Sequence, residues 1–203
     1  MEALLGAGLV LFRYSGTDAS LARAAYLSAH LINTLLMLSA FALTAWWGSG
    51  HGPVRLSGAF TKLLGISLLA GLVIAVTGAI NALSDTLFPA TSLLAGWEAD
   101  FSAGSNLLIR LRVWHPAIAV VAGASIAAIA LAIRGKTVHA QVRQMASAVA
   151  GLVVLQLASG LINVWLLAPI WIQLVHLLLA DLLWIALVLF AAAALEQNRL
   201  SKP

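Results

Sequence analysis

The sequence predicts an all-α, polytopic transmembrane helical protein, with one complete four-helix bundle preceded by part of a second, pseudo-symmetric bundle. Three observations predict it. The 203 residues are 62% hydrophobic and 9% charged, with a mean hydropathy of +1.01, more apolar surface than a soluble core of this size needs. Charge-poor stretches reach the roughly 20 residues that a helix needs to cross a bilayer core. Histidine-led segments recur: "HLINTLLMLSAFALTAWW" from His30 resembles "HLLLADLLWIALVLFAAA" from His176, each preceded by a glycine-containing apolar stretch, "LLGAGLVLF" and "LASGLINVW".

In chain order, Ala3 to Phe12 is apolar but short, about 15 Å of helix and half of what a span requires. The first span, Ala24 to Trp47, closes with a "WW" pair typical of membrane interfaces. Ala59 to Leu83 follows, with Ser67, Gly71, Ala75 and Ala79 as a small-residue stripe suited to close helix packing. The segment "SDTLFPATSLLAGWEADFSAGSN" reads as a long loop. The next span, Leu108 to Ile133, is rich in Ala119, Ala122, Gly123, Ala127 and Ala130. Gln144 to Ala168 and Ile170 to Leu195 form the last pair, joined by a tight turn at Pro169. Small side chains on these helices serve packing or leave a slot for a flat ligand.

Basic residues orient the chain. With the C-terminus cytoplasmic, Arg55, Lys62, Arg134, Lys136, Arg143, Arg199 and Lys202 lie inside, and Arg13, Arg23, Arg110 and Arg112 lie outside. Seven against four follows the positive-inside rule. The net charge of +4 therefore reflects topology rather than a nucleic-acid partner. The absence of cysteine excludes disulfides, thiolate metal sites and thiol catalysis.

Two of the five histidines, His51 and His139, fall in inner loops and read as solvated. The other three are different. His30, His115 and His176 each follow the outer edge of a helix by a few residues, roughly 5–10 Å into the membrane. Their helices run in the same direction, so three imidazoles share one level. Zinc sites require three or four N, S or O ligands, and the carboxylates lie mostly in loops. Two imidazoles facing across a slot suit haem with two axial ligands. On this reading His115 and His176 pair as axial ligands of one haem. His30 belongs to a second site, its partner on helices that this chain lacks, with Asn33 and Met37 further along its helix lining that pocket. Arg110 and Arg112 are propionate partners or interfacial anchors. Asp181, five residues past His176, cannot face the same porphyrin; interhelical bonding to Asn163 or Gln156 is the expectation, ahead of a proton relay.

The segments "AHLINTLLMLSAFALTAWW", "VTGAINALSDTLFPA", "VWHPAIAV" and "LQLASGLINVWLLAPIWIQLVHLLLADLLWIALV" resemble the haem A synthase family of bacterial and mitochondrial membranes. The resemblance covers nearly the whole chain, from the family's third helix to its eighth. It implies two domains: residues 1–58 as a remnant of the N-terminal bundle (a partial third helix and the fourth), and 59–203 as a complete C-terminal haem-binding bundle. It implies haem b as cofactor on His115 and His176, with Arg112 as a propionate contact. It also implies haem O as substrate, held by His30 and Asn33, its C8 methyl oxidised to the formyl of haem A for terminal oxidases. The expected partners are the lipid bilayer, haem O synthase and an electron donor, with homo-oligomerisation left open, in a bacterial plasma membrane.

The chain departs from the family pattern in three ways. The catalytic glutamate and its companion histidine belong to the family's second helix, absent here, so this chain alone is expected to be inactive. Many members follow the cofactor histidine with arginine, where Pro116 stands. Loop cysteine pairs found in some members have no counterpart. The alternative function is a membrane cytochrome b that only relays electrons.

Overall fold

The structure, a computed structural model, describes residues 1–54, 56 and 60–197. Arg55, Arg199 and Lys202 of the orientation count, and the boundary at residues 58/59, lie outside these. The described residues form eight helices and no strand. They are α1 (Glu2–Leu11), α2 (Leu21–Gly48), α3 (Thr61–Leu87), α4 (Leu93–Phe101), α5 (Leu107–Arg112), α6 (Trp114–Lys136), α7 (Ala140–Trp165) and α8 (Ile170–Gln197). Five spans are long and apolar enough to cross a membrane, α5 and α6 counting as one. The protein is a multi-pass helical membrane protein.

The bundle closes as a ring. Helix α3 packs on α6, α6 on α7, α7 on α8, and α8 back on α3. Helix α2 lies against α3 and α8, and α1 packs on α2. Trp184 of α8 ties the two parts together. Its indole N–H donates to the Leu35 carbonyl at 2.8 Å and to Ser39 Oγ at 2.9 Å, while its ring lies against Gly71 of α3. Gly71 belongs to the small-residue stripe, so that stripe serves packing.

The core is uneven along the bundle axis. The second half of α8, from Leu187 to Leu195, is buried against Leu64, Ile126, Ala130, Ile133, Val142, Ala146 and Val149. At the other end, where the histidines lie, Leu174, Leu177 and Leu178 of α8 are exposed, as lipid-facing residues can be.

Three details differ from the sequence-based expectation. The long loop contains α4, a nine-residue helix whose N-cap Ser92 accepts from the Ala95 N–H at 3.1 Å. The span through His115 is broken at Val113, between α5 and α6. Pro116 explains the break, because its ring would clash with the carbonyl four residues earlier, that of Arg112. Helix α7 starts at Ala140 rather than Gln144, since hydropathy misses a polar first turn that hydrogen bonding still makes helical. His51 is also more than a solvated loop residue. Its ring stacks on Trp46 at 3.6 Å, and its Nδ1 lies 3.3 Å from Glu196, closing the end opposite the histidine level.

Candidate haem-ligand site

His30, His115 and His176 sit on α2, α6 and α8, about 9–14 Å along from the start of each span, counting α5 with α6. The rings thus lie somewhat further along their helices than the roughly 5–10 Å that the sequence spacing suggests. What spacing did not foresee is how each ring is held.

His115 turns its Nδ1 to Thr77 Oγ1 of α3, 3.0 Å away. The Thr77 hydroxyl has one proton, already directed at the carbonyls of Val73 and Ile74 at 3.1 and 3.0 Å. With that proton on either carbonyl, the oxygen accepts from Nδ1 and the Nε2 lone pair is left free. The same logic holds at α7 and α8. Ser159 donates its proton to the Gln156 carbonyl at 2.9 Å and accepts from His176 Nδ1 at 2.8 Å. The Nε2 lone pair of His176 then accepts from the Gln156 side-chain amide at 3.1 Å. This assignment gives both rings the tautomer a metal needs at Nε2, and an N–H donor on the far nitrogen is the usual way to orient such a ring.

Each ring also lies against a glycine. A Cβ on Gly78 would sit 3.1 Å from His115 Cε1, and one on Gly160 would sit 3.2 Å from His176 Cε1. These dipeptides, Thr77-Gly78 and Ser159-Gly160, were not singled out in the sequence. Their recurrence one helix before each histidine was the available signal. Among the described residues, no three His, Asp or Glu side chains converge as a metal-ligating cluster. A donor set of two imidazoles with free or displaceable Nε2 atoms fits a haem iron held from both faces.

His30 is set differently. Its ring lies over Gly6 of α1, where a Cβ would be 3.9 Å from Cε1. Its Nδ1 is 3.2 Å from Glu2 Oε1, off the hydrogen-bond axis. Asn33, expected in the substrate pocket, donates its amide to Glu2 Oε2, and Thr34 donates to Oε1 at 2.6 Å.

Arg112 is committed elsewhere. Its Nε donates to Asp100 at 2.6 Å, its Nη1 to Asp85 at 3.3 Å and to the Phe88 carbonyl at 3.4 Å, and its Nη2 to the Gly96 carbonyl at 3.3 Å. Most of its five N–H groups thus bind the protein, and they fasten α4 over the histidine end of the bundle. Asp181 has no hydrogen-bond partner among the described residues. Gln156, one of its two expected partners, binds His176 instead, and the other, Asn163, leaves its own Oδ1 buried and unpartnered.

The sequence signature of the cytochrome oxidase assembly proteins (COX15-CtaA) matches residues 1–188. The chain belongs to this family. It is the haem A synthase family that the motifs resemble. The chain is also 43% identical, over 199 residues, to proteins named protoheme IX farnesyltransferase from two strains of Thermus thermophilus. The match takes in 97% of this chain but 33% of each relative, so this chain spans about a third of their length. No solved structure matches.

Proposed function

We propose that the chain is part of a haem A synthase-like membrane oxidoreductase, holding haem b and contributing to the site where haem O is oxidised. The carrying observation is the matched setting of His115 and His176, each with Nδ1 on a hydroxyl and Cε1 over a glycine. In this reading 59–203 is the haem b bundle, and 1–58 supplies His30 and Asn33 to the substrate half. The Thermus relatives are named for farnesyl transfer to protohaem, and haem O is a farnesylated protohaem, so the name supports a substrate of this class. The basic residues orient the C-terminus to the cytoplasm of a bacterial plasma membrane.

With water as the oxygen source, turning a methyl into a formyl group releases four protons and four electrons, and the electrons must leave to an external oxidant. No side chain here can take them up, and haem iron held by the histidines would supply the one-electron chemistry that passes them on. The protein's own part is to hold and insulate. Thr77 and Ser159 fix ring orientation and tautomer. Gly78 and Gly160 let α3 and α7 approach the ligand rings. The apolar core below excludes water from the iron level. Arg112 serves this reading by pinning α4 and α5 just before His115, rather than by holding a propionate.

The test is spectroscopic. Reconstituted protein should show a low-spin haem spectrum that His115→Ala or His176→Ala abolishes and His30→Ala largely preserves. Equal loss from all three variants contradicts the two-site assignment, and purified protein with no Soret band contradicts the haem reading altogether. A single low-spin haem, with no formyl haem formed from added haem O, favours the electron-relay alternative.

A further inference from the structure

The histidines repeat one device three times: a ring on one helix, seated over a glycine of an earlier helix packed against it. Gly6 serves His30, Gly78 serves His115, and Gly160 serves His176. The repeat extends one turn further. Glu2 stands four residues before Gly6, as Gln156 stands four residues before Gly160, and each lies beside the histidine of the following helix: Gln156 hydrogen-bonds His176 Nε2, and Glu2 Oε1 stands 3.2 Å from His30 Nδ1, off the hydrogen-bond axis. The partners differ in charge. His115 and His176 have neutral hydroxyls at Nδ1, whereas His30 has a carboxylate.

We propose that Glu2 is the anionic partner of His30, a positioning residue that strengthens this imidazole as an iron ligand at the substrate-side haem. The inference rests on the functional reading above. A carboxylate at the far nitrogen raises the basicity of a ligating histidine, and a more electron-rich axial ligand stabilises ferric over ferrous iron. A neutral hydroxyl does this less. Glu2 is well held for the task, because Thr34 donates to one oxygen and Asn33 to the other, both from the helix that carries His30. The pseudo-symmetric halves would thus be tuned apart: a neutral shell around the electron-transfer iron and an anionic one around the reacting iron.

The experiment loads the full chain with ferric haem b and follows two populations by redox titration, the low-spin haem of His115 and His176 and a second haem that His30→Ala removes. Glu2→Gln, which keeps size and an acceptor oxygen, should raise the ferrous-to-ferric ratio of the second haem about tenfold at fixed potential, which is about 59 mV, and leave the first haem unmoved. Thr34→Val, which frees carboxylate lone pairs for the ring, should move it the opposite way. The proposal is overturned by an unchanged second potential in Glu2→Gln. It is overturned equally if only Glu2→Ala has an effect, through loosened packing of α1, or if no haem depends on His30. In those cases an intact low-spin haem still upholds the functional reading, whereas protein that takes up no haem defeats that reading itself.

Discussion

Replacing Arg112 by methionine distinguishes a structural cation from a haem-propionate contact. The Arg112 side chain is 9% exposed, and Asp85 and Asp100 are 19% and 15% exposed. Removing one partner from a buried ion pair strands its counter-charges and costs about 3–5 kcal/mol. The partial exposure of both carboxylates, which can draw water, puts Arg112→Met near the lower figure, about 3 kcal/mol. For a chain of 203 residues, each kcal/mol lowers Tm by roughly 2–4 °C, so a fall of about 6–12 °C is expected. Thermal unfolding of the haem-free protein in detergent measures it, and limited proteolysis should show cleavage within 93–101 as α4 comes loose. Adding Asp85→Asn and Asp100→Asn should recover much of the loss, since no charge is then stranded. A Tm within about 2 °C of the parent with α4 still protected refutes the reasoning. So does a defect seen only in haem-loaded protein, which would return Arg112 to a propionate.

Two further perturbations probe the ring seats and the joint between the bundle parts. Gly78→Ala and Gly160→Ala place a methyl 3.1 and 3.2 Å from the respective Cε1 atoms. Each ring must move by a few tenths of an ångström, and the low-spin haem spectrum should shift with little change in the helical circular dichroism. Trp184→Phe removes an indole N–H shared between Leu35 and Ser39 and should cost about 1 kcal/mol, read as lower thermal stability in detergent.

The spans and the histidine level were legible because both follow from one-dimensional patterns, apolar length and helical rise. The partners of the rings were not. Thr77, Ser159 and Glu2 meet histidines on neighbouring helices, and which face of a lipid-embedded helix turns inward is poorly marked when both faces are apolar. Of the two readings of the small-residue stripes, packing is the one seen at Gly71, which receives Trp184, while Gly78 and Gly160 receive the imidazoles. Helix α4 escaped notice because nine residues carry too little periodicity, although Ser92 was a readable cap. Arg112 looked free for a ligand since its two aspartates lie 12 and 27 residues away in sequence.

The Gln156 amide across His176 Nε2 has a consequence for loading. On the proposed reading that amide, 3.1 Å from Nε2, must swing aside before iron can reach the ring, so haem uptake by this bundle carries a side-chain rotation that the His115 half does not share.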